Sequence, residues 1–141
     1  MAGLSKTFAA VLLIAASLTA LDGCALASSR LEGTQWKLVG GPISPIDPAN
    51  VAITAKFADG QVSGNSGVNS YHGPCTLGPG DAFSAGPLAG TRMAGPEPAM
   101  RAETAYLTLL GQAKSYKMAD GKLTLYDKGG NESLIFEGTG K

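Results

Sequence analysis

The side chains that could form a nucleophile and its general base lie in one short segment of the sequence. His72 is the single histidine, Ser66 and Ser70 precede it closely, and Cys75 follows it. An imidazole can activate a nearby hydroxyl group by accepting its proton. A hydrolytic triad also needs a carboxylate that orients the imidazole, and the sequence places none at a characteristic spacing. Hydrolysis by Ser70 and His72 stays one hypothesis, whereas the simpler expectation is that His72 is an exposed strand residue.

Cys75 does not form a catalytic pair with His72 in this pattern. Side chains three positions apart on a strand point to opposite faces of the sheet. Unpaired cysteines are among the most buried residue types, so we expect Cys75 to be a small buried side chain. A single histidine also leaves no ligand set with the spacing of a zinc site. We therefore expect no catalytic residue, no metal and no cofactor.

The segment 63–73 combines three glycines with two asparagines. Both residue types tolerate positive φ angles and tight bends. The glycine spacing over residues 60–67 is similar to that of a phosphate-binding loop, but no Lys-Ser/Thr pair ends it and no helix follows. A bend or bulge of a curved sheet is the simpler interpretation.

Three residues in and near this segment are candidates for a structural role or for ligand contact: Asn69, Tyr71 and Arg92. The amide of Asn69 can bond main-chain groups across a bend. Arg92 precedes a predicted helix, where it could pair with Glu97 or Glu103 or present an exposed anion-binding group. We expect structural roles for Asn69 and Arg92 in preference to ligand binding.

Alternating polar and apolar residues predict a series of short β-strands. The predicted strands span residues 34–39, 50–57, 61–64, 71–77, 82–88, 114–118, 122–127 and 132–137. Asp59-Gly60 and Asp120-Gly121 are typical of the tight turns that join antiparallel strands. The abundance of glycine, 20 in 141 residues, also favours tight turns over long helices.

One helix is predicted, over residues 97–112. Pro96 and Pro98 lie at its start, where a missing N–H costs little. Its apolar stripe, at helical spacing, consists of Ala99, Ala102, Tyr106, Leu109, Leu110 and Ala113. We expect Met93 and Met100 to fill the core beside this stripe, because methionine adapts to irregular gaps.

Residues 1–23 have the pattern of a lipoprotein-type signal peptide. Lys6 supplies a short positive region, and residues 8–21 form an uncharged run that is too short to span a membrane comfortably. The remaining length fits one domain, residues 31–138, which we expect to be monomeric. The formal net charge is zero and the basic residues are scattered, which argues against nucleic-acid binding.

The signal segment ends in Leu-Asp-Gly-Cys, which is similar to a bacterial lipobox. In that interpretation Cys24 carries a lipid and residues 24–30 form a tether to the membrane. The alternative is cleavage after Ala27, which would release a secreted protein that starts at Ser28. Either way Cys75 is left without a cysteine partner in the mature chain.

Several motifs occur in a characteristic order along the chain. They are Gly33-Thr34-x-Trp36-x-Leu38, Val62-Ser63-Gly64-x-x-Gly67-x-Asn69-x-Tyr71-x-Gly73, Thr91-Arg92-Met93-Ala94, Met100-x-x-Glu103-x-x-Tyr106 and Leu123-x-Leu125-Tyr126-Asp127. Over about residues 31–137 this order resembles the META/HslJ domain, a small bacterial envelope module. The resemblance implies a mainly β fold with one α-helix, in the form of a small antiparallel β-barrel-like domain. Members are often lipoproteins or secreted proteins, and no enzymatic activity is established for the family.

The sequence departs from this family pattern at two positions. Members commonly have cysteine where this chain has Val68 and again where it has Gly95. The paired loss implies that the two cysteines form a disulfide in other members, a bond that typically contributes ~2–4 kcal/mol. We therefore expect Val68 to lie close to Gly95, with some other interaction stabilising the bend.

The function that these observations favour is that of a non-catalytic envelope lipoprotein, anchored to the membrane through Cys24. Its role would lie in cell-surface maintenance or in tolerance of stress or antibiotics, as the resemblance implies. The alternative is a secreted module or inhibitor that binds an unidentified protein or small molecule through residues 64–73 and 91–95. The mature N-terminus distinguishes the two.

Overall fold

The computed structural model of the chain describes residues 30–41 and 51–140. The predicted signal segment, Cys24 and most of the predicted tether lie outside the described residues. The strands are β1 (Thr34–Gly40), β2 (Thr54–Ala58), β3 (Gln61–Asn65), β4 (Ser70–Leu77), β5 (Phe83–Ala85), β6 (Ala89–Gly90), β7 (Ser115–Ala119), β8 (Lys122–Tyr126) and β9 (Glu132–Gly138). Helix α1 (Glu97–Gln112) lies between β6 and β7, and a short 3-10 turn (Pro79–Asp81) precedes β5.

The strands form one antiparallel sheet that is nearly closed into a barrel. Its order is β5-β4-β3-β2-β1-β9-β8-β7, and β6 pairs with β4 beside this path. The two ends of the sheet meet through a bridge between Ala82 and Ser115 and through a 2.9 Å hydrogen bond from the Phe83 N–H to the Lys114 carbonyl. The predicted class, mainly β with one helix and barrel-like, is confirmed.

Alternate side chains along each strand point inward and fill the interior of the barrel. Phe57 on β2 lies opposite Val62 on β3, which in turn lies opposite Gly73 on β4. Phe136 on β9 lies between Leu38 and Leu123 on the neighbouring strands. The buried apolar side chains of the barrel form one continuous core with those of the helix. Removing this apolar surface from water is the main favourable term in folding.

Two predicted strands differ from the observed ones. The strand predicted over residues 50–57 is observed only from Thr54, although the Leu38 N–H still donates to the Ile53 carbonyl at 2.9 Å. The strand predicted over residues 82–88 is observed only as β5 (Phe83–Ala85), and β6 begins beyond it at Ala89. The strand ends before Gly86-Pro87, since the ring nitrogen of Pro87 carries no hydrogen and cannot donate to a strand ladder.

Helix α1 packs one face against β5 and β9. Ala102, Tyr106 and Leu110 are buried as the stripe predicts. The Tyr106 ring meets the rings of Tyr71 and Phe136 edge to face, at centroid distances of 5.5 and 6.3 Å. Within the described ranges, no helix has both the length and the apolar character needed to cross a membrane.

The prediction that Met93 and Met100 fill the core is wrong. Met93 is 60% exposed and Met100 is 42% exposed. Met100 lies on the solvent side of α1, and Met93 lies in the extended connection before the helix. An adaptable thioether fills gaps only where its backbone directs it inward, and at these two positions the backbone does not.

Candidate functional site

The bend that joins β3 to β4 spans residues 65–70 and is closed by short-range hydrogen bonds. Ser66 donates both its N–H and its hydroxyl to the carbonyl of Asn69, each at 2.8 Å. The Gly67 N–H donates to the Asn65 side chain at 2.8 Å. Ser66 is only 1% exposed. Its hydroxyl is therefore engaged by the main chain and is not presented to solvent as a nucleophile.

The Asn69 side chain connects the bend by hydrogen bonds to residues 91–96, the link that joins β6 to α1. Its Oδ1 accepts the Met93 N–H at 2.7 Å and the Thr91 hydroxyl at 2.8 Å. Its Nδ2 donates to the Met93 carbonyl at 3.2 Å and to Glu103 Oε1 at 2.9 Å. These bonds use both donors and both acceptor positions of the amide, which is 5% exposed. The predicted bonding of main-chain groups by Asn69 is confirmed.

Glu103 on α1 connects the same bend to the helix by hydrogen bonds. Its Oε2 accepts the N–H groups of Val68 and Asn69 at 3.0 and 2.8 Å. Burial raises the pKa of this carboxyl group, but hydrogen bonds from the Asn69 side chain and from the N–H groups of Asn69 and Val68 outweigh it, so the pKa lies below its ordinary value. The ionised carboxylate thus makes charge-assisted bonds to the bend, which are stronger than neutral ones.

The role of Glu103 was not found from the sequence, which offered it only as a partner for Arg92. Its spacing gave a usable signal, since Glu103 lies one position from Ala102 and three from Tyr106 on the helix. An acidic residue at the margin of an apolar stripe is turned partly inward. Such a residue needs a hydrogen-bonding partner in the neighbouring element.

Two buried tyrosines lie beneath the bend. The Tyr71 hydroxyl donates to the Thr54 carbonyl at 2.9 Å and lies 2.6 Å from the Tyr106 hydroxyl, which donates to it in turn. Burial raises the pKa of both phenols above the ordinary value. Both rings are therefore neutral, and their hydroxyl groups connect β2, β4 and α1. Tyr71 has a structural position, and its hydroxyl does not reach solvent.

Val68 lies against Gly95, as predicted from the two missing cysteines. A Cβ placed on Gly95 would lie 2.7 Å from Val68 Cγ2 and 3.4 Å from Val68 Cβ. The second distance is close to the ~3.5–4.5 Å that separates the Cβ atoms of a disulfide. The adjacency is confirmed, and in this chain the valine methyl groups occupy the space that a sulfur bridge would need.

Gly64 is required where β3 passes β2. A Cβ on Gly64 would overlap the main-chain carbonyl of Thr54. The close approach lets the Asn65 N–H reach the Thr54 hydroxyl at 3.0 Å. The glycine content of this segment thus serves the packing of two strands beside the bend.

Of the side chains considered for hydrolysis or thiol chemistry, Ser70 and His72 are both exposed on the same face of β4, and Ser66 is buried in the bend. His72 is exposed on the outer face of β4, whereas Cys75 is buried on the inner face. The His72 imidazole makes no hydrogen bond to the part of the chain that the structure describes. Burial raises the pKa of the Cys75 thiol to about 11. A thiol with so high a pKa is protonated at neutral pH and is a poor nucleophile.

Arg92 forms an ion pair with neither Glu97 nor Glu103, the two partners considered from the sequence. Glu97 forms an exposed ion pair with Arg101 at 3.5 Å, and Glu103 is bound by the bend. Arg92 itself is exposed and has no ion pair with a described residue. The structural role expected for Arg92 through Glu97 or Glu103 is not observed, because the link points this side chain outward, and the alternative of an exposed anion-binding group stays a prediction.

Within residues 30–41 and 51–140, no three His, Cys, Asp or Glu side chains gather closely enough to hold a metal ion. The candidate site is therefore a network of Ser66, Asn69, Thr91 and Glu103 above the two tyrosines. Each of these side chains bonds a main-chain group or another member of the network. The arrangement joins the bend, the link and the helix.

Comparison with known proteins finds a family model that matches most of the chain. A family model described as META domain matches residues 29–139. A search among curated proteins gives no match.

Solved structures share the fold at low sequence identity. An NMR structure of a protein from Burkholderia xenovorans is 24% identical, with 100% of both chains covered and a TM-score of 0.66. A second NMR structure is 18% identical and covers 77% of this chain and 92% of that chain, with a TM-score of 0.61. A crystal structure of a DUF4847 family protein from Bacteroides vulgatus is 14% identical, covers 78% and 95% respectively, and has a TM-score of 0.54.

Proposed function

The chain belongs to the META domain family, and from this premise we propose that it is a non-catalytic module of the bacterial cell envelope. In this proposal a lipid on Cys24 holds it at a membrane, and residues 24–30 connect the lipid to the domain. Its role is in cell-surface maintenance or in tolerance of stress or antibiotics. The proposal assigns no reaction, cofactor or metal to the domain.

One observation carries the non-catalytic part of the proposal. The two most connected polar side chains at the bend are occupied by the fold, since Asn69 uses its whole amide and Glu103 of α1 accepts three hydrogen bonds. A catalytic group must reach a substrate with an unoccupied atom. The exposed His72 lies on the face of β4 opposite to Cys75, which further supports a domain without a reaction centre.

The path of the chain supports a membrane tether. Residues 30–33 lead into β1 beside the turn between β2 and β3, where the Gly33 N–H donates to the Phe57 carbonyl at 2.7 Å and Glu32 accepts the Asp59 N–H at 2.5 Å. The bend lies at the other end of β3, which is five residues long and so spans ~16 Å. A lipid at Cys24 would therefore hold the turn end near the membrane and leave the bend facing away from it.

The mature N-terminus tests the lipoprotein proposal. We expect the protein expressed in a bacterium to be recovered from membranes with an intact mass that begins at a lipid-modified Cys24. The Cys24→Ala variant should lose the added lipid mass and the incorporation of labelled palmitate. The matched control is Cys75→Ala, which should keep both. A mature chain that begins at Ser28 and carries no lipid would overturn the anchor.

A complementation assay tests the non-catalytic part separately. In a strain that lacks the gene, His72→Ala and Ser70→Ala should restore the tolerance phenotype as well as the unaltered gene does. Cys24→Ala should not restore it if the anchor is required. Failure of His72→Ala at normal protein levels would favour the hydrolase hypothesis instead.

A second candidate function is that of a binding module, and one observation favours it. Arg92, Met93 and Met100 all expose their side chains at the bend end of the barrel. Exposed apolar side chains next to an unpaired cation are typical of a protein-binding surface. A partner crosslinked to the unaltered protein but lost in Arg92→Ala/Met93→Ala would support this function. Arg101→Ala is the control, and equal loss of the partner in that variant would argue against a specific surface.

A further inference from the structure

Two of the four methionines lie at the bend end of the domain, and neither is needed to fill the core. Met93 is 60% exposed and Met100 is 42% exposed, whereas Met118 is half-buried against the core. The remaining methionine, Met1, lies outside the described residues. An exposed thioether can be reached by dissolved oxidants, while a thioether packed in a core is protected.

The two methionines are attached to the network in different ways. Asn69 holds the Met93 main chain by its N–H and its carbonyl, at 2.7 and 3.2 Å, and leaves the side chain outside the network. The Met100 sulfur accepts the Gly95 N–H at 3.5 Å. Gly95 is the residue that packs directly against Val68. The Met100 sulfur is therefore a contact between the helix and the link at the place where the family disulfide is missing.

We propose that Met93 and Met100 form an oxidant-sensitive site, that the reacting class is hydroperoxides, and that oxidation of Met100 loosens the link from the helix. The sulfur lone pair attacks one peroxide oxygen, an S–O bond forms and the O–O bond breaks. Sulfur loses two electrons and becomes a sulfoxide. The proton of the transferred oxygen passes to the leaving hydroxide, which departs as water, so that hydrogen peroxide is reduced to water.

The consequence of oxidation differs between the two positions. A sulfoxide at Met93 projects into solvent from a main chain that Asn69 holds, so the fold is unchanged. A sulfoxide at Met100 adds an oxygen to a sulfur that is already in hydrogen-bonding contact with Gly95. If that oxygen points towards the link, it displaces Gly95 from Val68. If it points away, the Gly95 N–H loses its present acceptor geometry.

Graded treatment of the full chain with hydrogen peroxide, followed by peptide mass mapping over time, tests the first part. We expect Met93 to gain one oxygen fastest, Met100 to follow, and Met118 to react at least several-fold more slowly than Met93. The order of Met93 and Met100 follows from exposure and from the hydrogen bond that engages the Met100 sulfur. Oxidation of Met118 at the same rate as Met93 would overturn the site.

Leucine variants of matched size test the structural consequence. Oxidation of the unaltered protein and of Met93→Leu should lower the Tm by ~2–4 °C, an ordinary shift for the loss of a weak contact in a domain of this size. Oxidised Met100→Leu should keep the Tm of its own unoxidised form. A peptide methionine sulfoxide reductase should restore the Tm of the oxidised unaltered protein. An equal loss of Tm in oxidised Met100→Leu would contradict the role of Met100, and the result is independent of whether Cys24 is lipidated.

Discussion

The bend at residues 65–70 and the turn at residues 127–131 are both stabilised by a carboxylate that accepts main-chain N–H groups, but the carboxylates come from different parts of the chain. In the turn, Asp127 Oδ1 accepts N–H groups from Gly129 and Asn131 at 2.8 and 3.0 Å. In the bend, Glu103 accepts N–H groups from Val68 and Asn69, residues that are 35 and 34 positions away in sequence. A carboxylate stabilises the chain reversal in both, but only in the bend does it join distant elements.

The difference in burial gives the two carboxylates different importance. Both have lowered pKa values, Asp127 because the Asn131 N–H and side chain bond it, and Glu103 because its hydrogen bonds outweigh burial. The partners of Asp127 lie within four positions, on an exposed turn that water can also solvate. The partners of Glu103 include the buried Asn69. Loss of a bend contact leaves buried groups unsatisfied, which costs more than loss of an exposed one.

The largest effect is expected for Asn69→Ala. The substitution leaves the Met93 N–H and one oxygen of Glu103 without their partners, and we expect unfolding to become easier by about 3 kcal/mol. Chemical denaturation monitored by tryptophan fluorescence measures this. Asn131→Ala, at the turn, is the matched control and should remain close to the unaltered protein. Equal destabilisation by the two variants would remove the distinction between bend and turn.

A disulfide introduced between the bend and the link is expected to have the next largest effect. In Val68→Cys/Gly95→Cys the bulky valine is removed and the two Cβ atoms lie at bridging distance, so oxidation should raise the unfolding free energy by about 2 kcal/mol. The comparison is between the oxidised and reduced forms of the same double variant. The absence of a bridge under oxidising conditions, shown by thiol titration, would contradict the adjacency of Val68 and Gly95.

Glu103→Gln should destabilise the fold by about 1.5 kcal/mol at neutral pH, because charge-assisted bonds become neutral ones. The direction in which the stability contribution of Glu103 changes with pH follows from its lowered pKa. Its contribution is fully present above the unfolded pKa of about 4.3 and is lost as pH falls through the folded value. The stability difference between the unaltered protein and Glu103→Gln should therefore shrink below about pH 4. A difference that stays constant down to pH 2 would show that Glu103 does not bind the bend as a carboxylate.

Asp127→Asn should give the smallest effect of the series. An asparagine oxygen can still accept the Gly129 and Asn131 N–H groups, and solvent already screens the charge at this exposed turn. We expect a decrease in Tm that is smaller than that of Glu103→Gln, measured by calorimetry in the same buffer. A decrease as large as that of Glu103→Gln would mean that local turn contacts matter as much as the contacts between distant elements.

The same contrast explains which features could be predicted from sequence. The Asp59-Gly60 and Asp120-Gly121 turns were predicted because their residue preferences are local, and both dipeptides adopt positive φ angles. Strand faces follow from alternation, which also placed His72 outside and Cys75 inside. Helix α1 followed from its apolar stripe. The adjacency of Val68 and Gly95 was predicted from the family pattern and could not have come from local preferences.

The errors concern contacts over long sequence separations. Glu103 was considered as a partner of Arg92 because of its charge alone. Its carboxylate instead accepts hydrogen bonds from backbone N–H groups of the bend. Met93 and Met100 were assigned to the core by residue type, although the direction of each side chain depends on how the link meets the helix. Helical spacing could have indicated that Glu103 turns partly inward, but the path of the link and the position of the bend are not encoded by neighbouring residues, so the partners of these side chains could not be predicted.

The central claim is that Asn69 and Glu103 stabilise the bend as one coupled hydrogen-bonding unit. A double-mutant cycle of Asn69→Ala, Glu103→Gln and the two combined, followed by denaturant unfolding, tests it most directly. Because the two side chains share a hydrogen bond and the same bend, we expect the double variant to be less destabilised than the sum of the singles, by about 1 kcal/mol. Additivity to within about 0.3 kcal/mol would contradict the claim.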